Sequence, residues 1–229
     1  ISHELRTPLA IINGYLENLI EDDVVADLET ARRFLKIMRK HGERIARIVE
    51  DMLIISRLES GEAGSINVVP FLLDACVQDV LERLESVIVA QGAKVKLTTN
   101  EPELVLAGDR FYWTQVIFNL VENALKQNPK SPLQVEIGWE RNSDGELQIW
   151  VTDNGVGIPS GDLPFIFRRF YRVVKHHSQV EIKGTGLGLS IVKRAVEAHG
   201  GEIEVTSAAG QETRFEILLP PEAFATSES

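Results

Sequence analysis

Apolar side chains recur at alternating steps of four and three in two early stretches of this sequence: Leu5, Leu9, Ile12, Leu16 and Leu19, then Ala31, Leu35, Met38, Gly42, Ile45, Val49 and Met52. A heptad step keeps each set on one stripe of a helix. The acidic stretch Glu21-Asp22-Asp23 between them reads as the turn of an antiparallel hairpin. Phe34, Ile48 and Ile55 flank the second stripe, and a single hairpin cannot bury its seam and these flanks together. Two hairpins joined in a homodimeric four-helix bundle bury both.

The run Ser60-Gly61-Glu62-Ala63-Gly64 breaks the helical period and reads as an interdomain linker. The chain then divides into a helical hairpin over residues 1–60, a linker over 61–65, a mixed domain over 66–222 and a frayed tail over 223–229. Strand-prone runs fall at 66–69, 95–99, 104–107, 135–139, 147–152, 202–206 and 213–219, and helical ones at 71–90, 111–126 and 187–198. The last two strands are separated by Ser207-Ala208-Ala209-Gly210, a turn sequence. The predicted fold class is α+β: the dimeric helical hairpin, followed by an α/β sandwich with helices on one face of a mixed sheet. Residues 154–184 hold a basic-aromatic cluster, Phe167 to Arg172, and the pair His176-His177. A loop of that length reads as a functional lid.

Charge and cysteine content narrow the function classes. A formal net charge of -10 opposes non-specific nucleic-acid binding, which relies on Lys and Arg to neutralise phosphates. A single cysteine, Cys76, permits neither an intrachain disulfide nor a thiolate metal cluster, which fits a reducing, cytoplasmic compartment. No apolar run reaches the roughly 20 residues of a membrane span. The sequence starts at Ile1, inside a helical pattern. The expectation is a cytoplasmic region of a membrane-anchored protein, with sensor and membrane segments lying upstream.

Three segments carry chemistry. In FNLVENALKQN, Asn119, Asn123 and Lys126 share one helix face. Amide oxygens suit Mg²⁺ that keeps most of its waters, and the ammonium suits phosphates; a solvated helix face is the plainer alternative. In DNGVGIP, Asp153 can accept a hydrogen bond from an exocyclic amine, and Gly155 and Gly157 let backbone approach a ligand. A simple turn would look the same. In KGTGLGLS, Gly184, Gly186 and Gly188 lead into a helix whose first N–H groups can hold an anion.

In this order the three segments resemble the N box and the two glycine boxes of the GHKL ATP-binding superfamily, and IFRRFYR resembles the F box of its ATP lid. The resemblance spans residues 66–220. It implies a Bergerat-like ATP domain with ATP and Mg²⁺ as cofactors. Asn123 would bind Mg²⁺ with Asn119 nearby, Lys126 would meet the phosphates, and Asp153 would recognise adenine. Arg172 would reach toward the γ-phosphate, and the backbone of Gly184, Thr185, Gly186, Leu187 and Gly188 would cradle the phosphates, with Thr213 also on the nucleotide. Two positions depart from the pattern: Gln127 replaces an aromatic residue that stacks on adenine, and Glu212 replaces a glycine before Thr213. The second is expected to change turn geometry more than chemistry.

SHELRTPL, at residues 2–9, closely resembles the H box of histidine kinases of the HisKA type. An imidazole is nucleophilic only when neutral, which an ordinary histidine largely is at pH 7. The adjacent Glu4 can hold one ring proton and leave the other nitrogen of His3 free to attack. Thr7, one turn beyond His3, could orient water for dephosphorylation, and Pro8 bends the helix. The resemblance implies autophosphorylation of His3, transfer to an aspartate of a response regulator receiver domain, and phosphatase activity toward that regulator. A catalytically weak, nucleotide-binding dimeric signalling module is the alternative. His41, His176, His177 and His199 receive no role.

Overall fold

The computed structural model describes residues 2–21, 27–60, 66–126, 128, 132–173 and 184–221. They belong to two compact units, Ile1–Ile54 and Ile55–Ser229. The linker residues 61–65, Asp22 and Asp23 of the acidic turn, Gln127, and the His176-His177 pair lie outside the described residues.

The first unit is the predicted helical pair, α1 (Ser2–Glu21) and most of α2 (Leu28–Ser60). Asp27 caps α2, accepting the Glu29 N–H at 3.1 Å and the Thr30 hydroxyl at 2.6 Å. Those bonds hold its carboxyl below the usual carboxylate range. Tyr15 packs on Phe34, ring centroids 4.8 Å apart. Pro8 lies inside α1 and is buried. With no N–H of its own, it leaves the Glu4 carbonyl without its helical donor. Leu9, Leu16, Leu35 and Val49, all on the heptad stripes, remain exposed.

In the second unit, a five-stranded mixed sheet has the order β2-β4-β5-β7-β6. Its strands are β2 (Lys94–Thr99), β4 (Gln134–Arg141), β5 (Leu147–Asp153), β6 (Glu202–Ser207) and β7 (Thr213–Leu219). β2 and β4 run parallel, and the other pairs are antiparallel. A separate antiparallel pair joins β1 (Val69–Leu72) to β3 (Val105–Gly108). This pairing moves the first strand from 66–69 to 69–72: Phe71 and Leu72, expected to start a helix, instead oppose Leu106 and Val105. α3 therefore begins at Leu73 and runs to Gln91.

Two periodicities position the site. Along β5, Leu147, Ile149, Val151 and Asp153 are buried, so the two-residue period carries a carboxylate onto the core face at the strand's end. On β7, Thr213 lies directly opposite Asp153 and shares that face with Phe215, Ile217 and Leu219. α4 (Arg110–Lys126) packs against α3, β4, β5 and α5 (Gly188–Ala198). Its buried stripe runs from Tyr112 to Leu125, leaving Asn119, Asn123 and Lys126 half-buried. At the far end of α5, His199 donates from Nδ1 to Ala195 O at 2.7 Å and accepts the Asp109 N–H on Nε2 at 3.0 Å. These partners require the neutral Nδ1–H tautomer.

Candidate functional site

On α4, the Nδ2 of Asn119 donates to Gln115 O at 2.9 Å, which orients its Oδ1. That oxygen lies against Gly188, the first residue of α5: a Cβ there would stand 2.7 Å away. The absence of a side chain at Gly188 lets the amide face of α4 meet the start of α5, where free N–H groups and the helix dipole favour an anion. Leu187 N–H bonds the buried Thr185 hydroxyl at 3.2 Å, shaping the entry to α5. Gly184 and Gly186 carry φ of 116° and 76°. Lys126 is ion-paired with Glu122 one turn back on α4, and both side chains are largely covered.

Asp153 is 5% exposed. Its Oδ1 accepts the Gly155 N–H at 2.9 Å and the Asn128 Nδ2 at 2.8 Å. Both donors fall on one oxygen, leaving Oδ2 for a ligand. Burial pushes the Asp153 carboxyl up, these two donors oppose the rise, and the charge of Glu212 adds to it. Thr213, across the ladder, is buried with its hydroxyl 3.0 Å from the Ser207 hydroxyl. Ser207 Oγ also accepts the Ile158 N–H at 2.9 Å, tying the turn after Asp153 to the end of β6. The closeness that requires glycine at 155 is to the protein: a Cβ there would fall 1.7 Å from Asn128 Oδ1.

The basic-aromatic segment folds onto the glycine loop. Phe170 N–H donates to Gly186 O at 2.8 Å, and Phe170 holds φ of 61°, a strained value for a bulky residue. Tyr171 donates to Asp162 at 2.5 Å, and Arg168 stacks on Phe165. Arg169 pairs with Glu59, which Arg194 of α5 also approaches at 3.3 Å. Arg172 follows this cluster, half-buried.

In the first unit, His3 is exposed on the first turn of α1. The Thr7 hydroxyl donates back to His3 O at 3.2 Å. Glu4 pairs at 3.3 Å with Arg44 of α2. The residues anticipated from the sequence thus form two groups: His3, Glu4 and Thr7 on α1, and the N-box and glycine-box residues around α4, β5 and α5. Asn128, Ser207, Glu59 and Arg44 were missed. Asn128 lies just past the helix, where periodicity ends, and its only signal is an amide two residues after Lys126.

These groups suit a purine nucleoside triphosphate: a buried carboxylate oxygen for an exocyclic amine, an ammonium and helix N–H groups for phosphates. No cluster of three His, Cys, Asp or Glu able to hold a metal occurs among the described residues. A divalent ion at this place would rely on amide oxygen, water and phosphate oxygens. Among the described residues no helix is long and apolar enough to cross a membrane.

Residues 108–223 match the family model of the histidine kinase-, DNA gyrase B-, and HSP90-like ATPase, and residues 1–61 match that of the His Kinase A (phospho-acceptor) domain. Sensor histidine kinase WalK of Bacillus subtilis (strain 168) is 36% identical over 227 residues, covering 96% of this chain and 35% of the relative. Sensor protein kinase WalK of Staphylococcus aureus is 36% identical over 223 residues, 97% of this chain and 52% of the relative. The chain therefore spans about a third to a half of these relatives. Among solved structures, Acinetobacter baumannii histidine kinase AdeS superposes with a TM-score of 0.74 at 25% identity, covering 96% of this chain and 98% of that one. Histidine kinase ThkA, in complex with response regulator protein TrrA, gives 0.72 at 25% identity, covering 96% of this chain and 60% of that one.

Proposed function

This chain belongs to the histidine kinase-, DNA gyrase B- and HSP90-like ATPase family, as the catalytic region of a two-component sensor histidine kinase, and from that premise we propose that it phosphorylates its own His3 from ATP and passes the phosphoryl group to an aspartate of a response regulator. The carrying observation is an exposed imidazole beside Glu4 and Thr7 on α1, in a chain whose second unit gathers Asp153, the α4 amide face and the start of α5.

ATP, bound with Mg²⁺, supplies the phosphoryl group and the metal offsets its charge. The chain's residues do the rest by holding and orienting. Asp153 Oδ2 takes the exocyclic amine of adenine, with Thr213 beside it. Asn123, with Asn119 nearby, would hold the metal through amide oxygen and bound water. Lys126 exchanges Glu122 for a phosphate oxygen, and the N–H groups opening α5, behind Gly184 to Leu187, hold the phosphates. Gly155 and Gly157 shape the turn next to Asp153. Arg172 supplies positive charge to the transferring group. His3 attacks the γ-phosphorus in line through the ring nitrogen that carries no proton. The N–P bond forms as the bond from that phosphorus to the β–γ bridging oxygen breaks, and ADP leaves. Glu4 accepts the other ring proton's hydrogen bond, for which it must leave or share Arg44.

The complex of ThkA with TrrA supports a receiver domain as acceptor. The exposed stripe residues Leu9, Leu16, Leu35 and Val49 support a homodimeric bundle. Thr7 supports a second activity, hydrolysis of the partner's phospho-aspartate. The whole protein is proposed as membrane-anchored with this region in the cytoplasm.

Incubation with γ-labelled ATP and Mg²⁺ tests the reading. The expected label is acid-labile and alkali-stable, is abolished by chelation, and disappears in His3→Gln. Absence of label in the native protein would leave a nucleotide-binding signalling module instead. Heterodimers pairing a subunit lacking His3 with one lacking Asn123 would then show whether transfer crosses the dimer.

A further inference from the structure

We propose that Asn128 is the positioning residue for base recognition: its carboxamide holds Asp153 and the turn after it so that Oδ2 alone faces the exocyclic amine of the base. This rests on the nucleotide reading above and assigns a role to a residue that the sequence pattern left without one. Asn128 is 6% exposed, so its polar atoms need partners within the fold. Nδ2 donates to Ala124 O at 2.8 Å, on the last turn of α4, and to Asp153 Oδ1 at 2.8 Å. Oδ1 accepts the Val156 N–H at 2.8 Å. Both amide protons are used, and the orientation is unambiguous, because a flipped amide would set its oxygen against two other oxygens and its nitrogen against an N–H.

The side chain therefore joins three parts of the site: the C-terminal end of α4, the carboxylate at the end of β5, and the backbone of Val156, the residue after Gly155. Its grip is close enough that Gly155 has no room for a Cβ. Asp153 Oδ1 receives two N–H donors, so the carboxyl plane cannot rotate without breaking one. A rigid acceptor selects an amine by direction as well as by charge.

Asn128→Asp keeps the shape and replaces the donor by an acceptor. Two carboxyls at hydrogen-bond distance cannot both ionise, so one takes a proton and Asp153 loses its fixed charge and orientation. Asn128→Ala removes the grip without adding charge. Calorimetric titration of both variants and the native protein with ATP and with inorganic tripolyphosphate, alongside thermal melts, separates base recognition from folding. We expect ATP affinity to fall about tenfold or more in each variant, with tripolyphosphate affinity within about twofold of native. The acid limb of ATP binding should move to higher pH in Asn128→Asp. ATP affinity equal to native in both variants overturns the proposal, and so does parallel loss of ATP and tripolyphosphate, which would indicate a merely structural residue. Failure of the native protein to bind ATP would instead overturn the nucleotide reading itself.

Discussion

The Oδ1 of Asn119 stands where a side chain at Gly188 would begin, 2.7 Å from an ideal Cβ. Asn119 cannot give way cheaply, because its Nδ2 is held by Gln115 O. Gly188→Ala should therefore turn the Asn119 amide out of place. Replacing glycine by alanine favours a helix by at most about 1 kcal/mol and by less at its first position, which offsets only part of the clash. The expected outcome is a fall of about tenfold in ATP affinity by calorimetry with little change in Tm. Native affinity would show that the amide moves freely.

Asp153→Asn should stabilise the protein while removing its base recognition. Burial raises the Asp153 carboxyl above its ordinary 3.8, so the folded state favours the neutral form. Its contribution to stability is full below 3.8 and is lost as pH rises through the folded value. At pH 7.5 the neutral isostere escapes that loss, and Tm should rise. ATP binding should vanish in the same preparation. Melting curves at pH 7.5 and pH 4 check the sign, since the gain should shrink at the lower pH.

His199 acts in the opposite pH direction. Burial holds its imidazole below the ordinary 6.5, against the opposing effects of the Ala195 carbonyl and the Asp109 charge. The neutral ring accepts the Asp109 N–H, while Asp109 itself accepts the Asn67 and Phe111 N–H groups. This stability is full above 6.5 and is lost as pH falls through the depressed folded value. Tm should drop between pH 7.5 and pH 5.5, and His199→Gln, which titrates nowhere in that range, should flatten the slope.

Thr7→Ala should separate the two proposed activities. The Thr7 hydroxyl bonds His3 O at 3.2 Å, a contact it can release to hold water, and phosphoryl transfer to His3 does not use it. Phosphatase activity toward the phosphorylated regulator should fall about a hundredfold, the scale of a misplaced attacking water. Autophosphorylation should stay within about twofold of native, and Thr7→Ser should retain both. Equal loss of both activities would remove the assigned role.

The heptad stripes, the glycine loops and the order of the boxes were legible because each is a local pattern. A helix stripe or a two-residue strand period follows from backbone geometry and needs no partner to be read. The helical pair, the mixed α/β unit and the identity of the polar residues offered for chemistry all follow from such local patterns. Which of them touch depends on how the elements pack. Register between β5 and β7 set Thr213 opposite Asp153, pairing with β3 moved β1 to Val69–Leu72, and the packing of α4 on α5 brought Asn119 to Gly188. Asn128 shows the division most clearly. An amide two residues after Lys126 was its only mark, yet its burial between α4 and β5 obliges it to satisfy its own polar atoms, and Asp153 is the acceptor the fold places there.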